Sequence, residues 1–462
     1  MHRHVSHVTR RTAVAATALA LGAVALGGPA DAASYGTPTI TLSSAALSGA
    51  VGAVGDPVVT VTVGQSGADA SALTVAASAS SRSSVAGPGD VTVTGTGAVR
   101  QLAVTARGRG YANLTVKVTG LGGKTATKTL YYAASAAVQN PADARHLTGS
   151  ADASAAVDLG GGHVVVADDE SNVLRLYDRS RSGAPVRTWD FTAQLGVAKE
   201  VDIEGAARVG DTIYWTGSLG NNKDGAYRPD RDTVFTTRVT GSGSTAQLTF
   251  GRAYQGLRGD LVAWDRANGD RYGFAAGTAT GQVPKQIDGF NVEGLEFAPG
   301  STGTAYLGFR APLAPAVPGG KALLVPVTNL DQVLATGAEP VFGAPVELDL
   351  GGLSVRDLRR NAAGQYLILA GSWAADDNTD PYALYAWDGV PGHAPVKRAD
   401  LPTSDAGGWE AVVDVPDLTQ PGARVQLLTD NGSADLYGDG TEAKDLTRPE
   451  WKKSRAAWFT LG

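Results

Sequence analysis

The chain has 462 residues, of which 43% are hydrophobic and 18% are charged, and its formal net charge is −6 at pH 7. This length favours two or three domains, and the apolar content is sufficient for a large core. An acidic chain without a Lys/Arg cluster argues against nucleic acid or an anionic membrane surface as its main partner. Cysteine is absent, which excludes thiol catalysis and thiolate zinc sites.

The first 33 residues have the pattern of a secretory signal peptide. Basic residues, Arg10 and Arg11 among them, precede an apolar run from Ala13 to Leu26, and a small-residue cleavage site ends at Ala32. A run of 14 residues is too short to cross a membrane. We therefore expect a secreted, extracellular protein without a membrane partner after cleavage; the pair of arginines leaves the export route open between the general and the twin-arginine pathway.

The next segment, residues 34–135, consists of short alternating apolar runs separated by Gly, Ser, Asp and Pro. Seven such runs in about 100 residues predict an antiparallel sandwich, and "GRGYANLTVKVTG" is similar to bacterial immunoglobulin-like domains. This part contains no paired acid and base, so it is interpreted as a spacer or adhesion module. Residues 136–149 are interpreted as a linker.

A repeat fills residues 150–462. Each unit is an acid, an apolar strand, a Gly/Asp/Asn turn and a second apolar strand that ends in small polar residues. Six units align on Asp152, Glu204, Asp260, Glu293, Asp357 and Glu410, of which Asp152 and Asp260 align loosely. The spacing is that of four-stranded blades, and we predict a six-bladed β-propeller; a seven-bladed ring stays open.

The first strand of a propeller blade is innermost, so an acid at its head projects into the mouth of the central channel. The glycine that follows Glu204 and Glu293 would let neighbouring strands approach closely. Converging carboxylates repel one another, and hard oxygen ligands select Ca²⁺ or Mg²⁺. We therefore predict a calcium site formed by Glu204, Glu293, Asp357 and Glu410. The alternative is that these acids are paired with cations and only hold the blades together.

Longer motifs carry a family resemblance. They are "VDIEGAARVGDTIYWTGSLGNNKDGAYRPDRDTVFTTRV", "DGFNVEGLEF", "LDLGGLSVRDL" and "VVVADDESNVLRLYD". From Asp152 to Gly462 the chain resembles an uncharacterised family of secreted bacterial propellers, close to the group named for the esterase-like activity of phytase. The resemblance implies a propeller fold and suggests hydrolysis without defining a reaction. Relatives tend to have His where this chain has Leu219.

The ends of the second strands should gather on one face, where propellers bind ligands. There we predict ligand binding by Asp169, Glu170, Arg231 and Asp430. Arg310 and Arg356 are the candidates for stabilising charge that develops on a substrate. Two functions follow: a calcium-dependent hydrolase of an ester or phosphoester, or a non-catalytic module that binds a glycan, a peptide or a cell-wall component. In both cases we expect a monomer with its ligand on the propeller face.

Overall fold

The computed structural model describes residues 34–79, 81–374, 381–404 and 406–462. Within these ranges the chain forms 28 strands in seven four-stranded sheets, with four short α-helices between them. The predicted all-β class is confirmed. The signal peptide predicted at residues 1–33 lies outside the described residues. Among the helices that are described, none is long and apolar enough to cross a membrane.

Two sheets pack against each other in the N-terminal part. Its strands are β1 (Thr39–Leu42), β2 (Ala46–Ala50), β3 (Val59–Gly64), β4 (Thr74–Ala79), β5 (Val91–Thr94), β6 (Val99–Val104), β7 (Gly110–Thr119) and β8 (Thr125–Ser135). The sheet orders are β1-β3-β6-β5 and β2-β8-β7-β4. Burial alternates along β7, and both sheets contribute to one core that includes Val61, Leu102, Leu114 and Leu130. There are eight strands and not seven, because the first run divides into β1 and β2, which belong to different sheets.

Twenty strands and all four helices follow. The strands are β9 (Ala144–Thr148), β10 (Ala153–Gly160), β11 (His163–Asp168), β12 (Ser171–Asp178), β13 (Arg187–Asp190), β14 (Ile203–Val209), β15 (Thr212–Gly217), β16 (Thr233–Thr240), β17 (Gln247–Gln255), β18 (Asn291–Phe297), β19 (Ala305–Ala314), β20 (Lys321–Val327), β21 (Val346–Leu348), β22 (Ser354–Arg360), β23 (Tyr366–Gly371), β24 (Tyr382–Trp387), β25 (Val396–Leu401), β26 (Gly408–Val412), β27 (Arg424–Asp430) and β28 (Lys453–Thr460). The helices are α1 (Thr192–Leu195), α2 (Leu257–Ala267), α3 (Phe274–Gly277) and α4 (Leu330–Thr336).

These strands form five antiparallel sheets, four of which use consecutive strands: β10 to β13, β14 to β17, β18 to β21 and β22 to β25. The fifth has the order β26-β27-β28-β9. The first strands contact one another in sequence from β10 through β14, β18 and β22 to β26, and β26 contacts β10. Each first strand therefore contacts two of the others in a cyclic order, and we call this set of five strands the ring. Strand β18 is buried at every residue although it contains Asn291, Glu293 and Glu296, so both of its faces are covered.

Two sequence predictions about this part are wrong. The unit headed by Asp260 is not a blade, because Asp260 lies in α2, where Leu257 and Leu261 face the core with helical spacing. The count is therefore five sheets and not six. The proposed linker is only partly a linker, since Ala144–Thr148 is strand β9, which pairs with β28 and completes the fifth sheet.

The N-terminal sheets dock on the segment between β27 and β28. The ring of Tyr111 lies 5.1 Å from that of Tyr437 and 5.0 Å from that of Trp451. The Tyr437 hydroxyl is 2.9 Å from Ser48 Oγ, and the buried Lys453 ammonium donates to the carbonyl of Gly49 at 2.6 Å. Because these contacts are buried and partly polar, they fix the two parts against each other.

Candidate functional site

Each first strand of the ring contains a β-bulge at its beginning. In the strand registers, one residue in each of β10, β14, β18, β22 and β26 is left without an opposite partner: Ser154, Glu204, Glu293, Arg356 and Glu410. A bulge redirects the side chain of the extra residue. The five bulged residues are therefore equivalent positions of one repeat. The sequence alignment was shifted in two units: Arg356 occupies the position assigned to Asp357, and Ser154 the position assigned to Asp152.

Glycine follows two of the bulged acids because the first strands approach closely. A Cβ added to Gly205 would lie 3.1 Å from Leu295 N, and one added to Gly294 would lie 3.0 Å from Val355 Cγ1. These distances are tighter than ordinary contacts, so a larger residue would push the strands apart. The glycines in the "VEG" and "IEG" motifs are therefore required by the close packing of the first strands and have no role in the chemistry of the site.

Three bulged residues and Arg310 form a central ion-pair cluster. Arg356 Nε lies 3.0 Å from Glu410 Oε2 and 2.9 Å from Glu293 Oε2, and Arg356 Nη2 also contacts Glu410 Oε1. Arg310 Nη1 donates to Glu293 Oε1 at 2.9 Å. At most 8% of any of these side chains is exposed. Buried charges are stable only when paired in this way.

The predicted roles of four residues, Arg310, Arg356, Glu293 and Glu410, differ from their positions in this cluster. Arg310 and Arg356 are buried, bind carboxylates and backbone carbonyls, and do not line the large cavity described below, so they are not placed to act on a substrate. Glu293 and Glu410 are arginine partners, and the structure assigns them to ion pairs in place of the predicted calcium site. The alternative interpretation, that ring acids hold the blades together, fits these two residues.

Asp357 lies apart from the other predicted calcium ligands. Its carboxylate accepts N–H groups from Leu358 and Val412, each at 2.8 Å, and pairs with Arg359 Nε at 3.1 Å. The reason is the bulge: with Arg356 redirected toward the cluster, the next residue of β22 points elsewhere. The prediction that Asp357 joins Glu204, Glu293 and Glu410 in one site is wrong.

A cavity of about 1010 Å³ opens at the end of the ring where the first strands begin. Nine acidic side chains line it: Asp152, Asp168, Asp169, Glu170, Asp202, Glu204, Asp224, Asp430 and Asp445. Seven basic side chains line it as well: Arg175, Lys223, Arg228, Arg231, Lys285, Lys444 and Lys452. We call this space the acidic cavity. It brings together Asp169, Glu170, Arg231 and Asp430, the four residues predicted to bind a ligand, with Glu204.

Three carboxylates converge inside the acidic cavity. One oxygen from each of Asp169, Asp202 and Glu204 lies within 4.8 Å of the other two. Asp202 was not among the residues proposed from the sequence. It stands two positions before Glu204 in "VDIEG", and its backbone has a φ of 59°, which is unusual for a residue other than glycine. This strained turn directs its carboxylate to Arg231 Nη1, at 2.7 Å, and to the triad.

Burial, together with the charge of neighbouring carboxylates, raises the pKa of Asp152, Asp168, Asp169 and Glu204 in the acidic cavity. Burial, followed by the charges of Asp430 and Glu204, raises the pKa of Asp169 well above its ordinary value. Burial and Asp202 do the same for the pKa of Glu204. The pKa of Asp152 rises to about 8, and that of Asp168 to about 6, in each case mainly through burial. A cation among these groups would offset both effects.

Two oxygen atoms at the acidic cavity have no hydrogen-bond donor among the described residues. Asn291 is 3% exposed, and its Nδ2 donates to Glu293 Oε1 at 3.0 Å, so its Oδ1 is fixed as an acceptor but receives no bond. The buried Oδ1 of Asp169 also lacks a donor. Carboxylate and amide oxygens that receive no hydrogen bond are the type of ligand that Ca²⁺ or Mg²⁺ prefers. The residues present therefore fit a hard divalent cation.

Several of the basic side chains that line the acidic cavity form ion pairs with acidic residues. Arg228 Nη2 lies 2.8 Å from Glu200 Oε1, and Arg231 bridges Asp202 and Glu200 at 2.7 and 3.6 Å. Lys444 Nζ lies 3.6 Å from Glu170 Oε1. Leu219 is fully buried in the core. Arg228 and Arg231 therefore hold acids as well as lining the acidic cavity.

Comparison with known proteins gives weak likenesses. No family model matches the chain, and no curated protein matches it. Among solved structures, a glucose dehydrogenase-type oxidoreductase from Thermus thermophilus is 14% identical, with a TM-score of 0.33, and the alignment covers 68% of this chain and 100% of that one. A thermostable family-43 glycoside hydrolase is 11% identical, also with a TM-score of 0.33, over 68% and 90% of the two chains. At these scores the likenesses carry no argument about function.

Proposed function

We propose that this is a secreted protein in which an immunoglobulin-like domain precedes a five-bladed β-propeller. Two observations support the propeller. The first strands of the five sheets contact one another in cyclic order, and β9, which precedes all the other strands of these sheets in the chain, supplies the outer strand of the last sheet. When the first strand of this part of the chain, β9, pairs with the last strand, β28, in one sheet, the pairing stabilises the ring against opening.

We propose further that the acidic cavity is the active site of a calcium-dependent hydrolase that cleaves an ester or a phosphoester. The observation that carries this proposal is the convergence of Asp169, Asp202 and Glu204. Asn291 Oδ1 would add a neutral oxygen ligand. A divalent cation held there would polarise the bond to be cleaved and lower the pKa of a water molecule.

The chain's own residues supply the other requirements of hydrolysis. Lys223, Lys285 and Lys452 line the same cavity and would attract an anionic substrate. Asp168, whose pKa is raised to about 6 by burial, is suited to exchange a proton near neutral pH. Arg231 holds Asp202 and is interpreted as a positioning residue for the cation site.

The alternative function is a non-catalytic module that binds a glycan, a peptide or a cell-wall component in the acidic cavity. One observation favours it: Arg310 and Arg356, the groups expected to stabilise developing charge, are buried in the central ion-pair cluster. In that case the cation would position the ligand without promoting its cleavage.

Hydrolysis of p-nitrophenyl phosphate and p-nitrophenyl acetate, measured with Ca²⁺ and with chelator, tests the proposal. We expect calcium-dependent release of p-nitrophenol that Glu204→Gln and Asp202→Asn abolish. Asp211→Asn, at an exposed turn of the same sheet, is the matched control and should retain activity. Calcium binding without hydrolysis of any ester tried would favour the binding module, and the absence of both would overturn the proposal.

A further inference from the structure

A second cavity, of about 360 Å³, lies at the other end of the ring, where the first strands finish. Residues of β10, β14, β18 and β22 line it, together with Val413, which follows β26. Its charged lining residues are Arg208, Arg359 and Arg360, with Asp158, Glu296 and Asp414. We call it the distal cavity. It shares no lining residue with the acidic cavity.

The acids of the distal cavity already have partners. Asp158 and Asp414 both pair with Arg179, at 3.1 and 2.7 Å. Glu296 accepts N–H groups from Phe297 at 2.7 Å and from Arg360 at 3.0 Å, and lies 3.8 Å from Arg360 Nε. Each of these acids therefore has a cationic partner other than Arg208.

Arg208 and Arg359 have guanidinium N–H groups that are not used in ion pairs. Arg359 is 6% exposed and uses Nε to bind Asp357 and the carbonyl of Val412, but its buried Nη2 has no acceptor within the described ranges. Arg208 reaches only the carbonyls of Gly210 and Asp158, at 2.9 and 3.1 Å, and forms no ion pair among the described residues. A buried guanidinium with an unused N–H is costly unless an acceptor is bound.

We propose that the distal cavity binds a small oxyanion, either a carboxylate or a phosphate group, between Arg208 and Arg359. Guanidinium groups bind both kinds of anion with charge-assisted hydrogen bonds and favour them over neutral acceptors. Ala156, Val157, Val413 and Val415 line the remaining space, so the cavity also accommodates an apolar part attached to the anion. This site is independent of the hydrolase proposed above.

Isothermal titration calorimetry of the mature protein with sodium phosphate and, separately, with sodium acetate tests the inference, with chelator present throughout. We expect saturable binding of at least one anion; the stronger of the two identifies phosphate or carboxylate as the group recognised. Arg208→Met should weaken binding by about tenfold or more, since it removes a charged hydrogen-bond donor. Arg359→Lys keeps a charge beside Asp357 but removes the free Nη2, and should weaken binding similarly.

Two control variants locate the site. Arg238→Met, at an exposed position of β16, should bind as the wild type does. Arg228→Met, in the acidic cavity, should also leave affinity unchanged. The inference is overturned if neither anion binds, if Arg208→Met and Arg359→Lys bind normally while remaining folded by circular dichroism, or if Arg228→Met alone abolishes binding.

Discussion

Arg356 and Glu410 are 54 residues apart in the chain, yet two guanidinium nitrogens of the first contact the two carboxylate oxygens of the second, with Nε 3.0 Å from Oε2. Both residues are the bulged positions of adjacent first strands. The pair therefore joins two sheets across the inner face of the ring, and Glu293 extends the same contact to a third sheet.

Removing Arg356 should destabilise the ring. We expect Arg356→Met to lower the free energy of unfolding by about 3–5 kcal/mol, because Glu410 would stay buried without its guanidinium partner. Urea unfolding followed by tryptophan fluorescence measures the loss. Arg238→Met is the matched control and should change stability little. The double variant Arg356→Met/Glu410→Met should recover part of the loss; if Arg356→Met unfolds at the wild-type urea concentration, the ion pair is not a stabilising element.

The carboxyl groups of the acidic cavity should make the stability of the protein depend on pH. The folded-state pKa of Asp152 is about 8 and that of Asp168 about 6, above an ordinary value of 3.8. The folded protein therefore holds these protons more tightly than the unfolded chain, and their contribution to stability is lost as the pH rises from about 4 to about 8. Asp168 alone would account for about 2 kcal/mol between pH 4 and pH 7.

Calcium should reverse that loss, because it binds the deprotonated carboxylates. We expect the melting temperature of the calcium-loaded protein to exceed that of the metal-free protein by a margin that grows between pH 5 and pH 8. Differential scanning calorimetry at several pH values measures this margin. Glu204→Gln should reduce it, and Asp211→Asn should not. A margin that is constant with pH, or that shrinks as the pH rises, would contradict the assignment.

Two truncations test the role of β9. A chain that begins at Ala136 keeps β9 and should fold, with a lower melting temperature because Tyr437 and Trp451 lose Tyr111. A chain that begins at Ser150 lacks β9, so β28 becomes an exposed edge strand and the protein should aggregate. Size-exclusion chromatography compares them. Equal behaviour of the two chains would show that β9 is dispensable and that residues 136–149 act only as a linker.

Much of the fold could be predicted from local pattern. The repeat of acid, strand, turn and strand located all five sheets of residues 150–462 and added one false unit at Asp260, and the alternating runs located the strands of the N-terminal part. Strand β9 was missed because its partner, β28, lies about 300 residues away and no local sequence pattern predicts the pairing. The helix at Asp260 was aligned as a strand although Leu257 and Leu261 have helical spacing, a signal that was available.

The site was harder to predict because a β-bulge leaves no mark in the sequence. One extra residue in β22 places Arg356 at the position that was assigned to Asp357. Asp357, predicted as a calcium ligand, therefore pairs with Arg359. Arg356, predicted as a catalytic residue, binds Glu293 and Glu410 in the central ion-pair cluster. Asp169, Glu170, Arg231 and Asp430 all line the acidic cavity, as expected from which strand ends share a face, and their binding of a ligand stays a prediction.

Direct calcium binding is the most decisive measurement. Metal-free protein titrated with CaCl₂ by isothermal titration calorimetry should bind one Ca²⁺ per triad, and Asp202→Asn and Glu204→Gln should each abolish saturable binding while Asp211→Asn preserves it. Asn291→Leu should weaken binding without abolishing it, because only one neutral ligand is lost. If the wild type binds no calcium, or if Asp202→Asn binds as tightly as the wild type, then Asp169, Asp202 and Glu204 do not form a cation site.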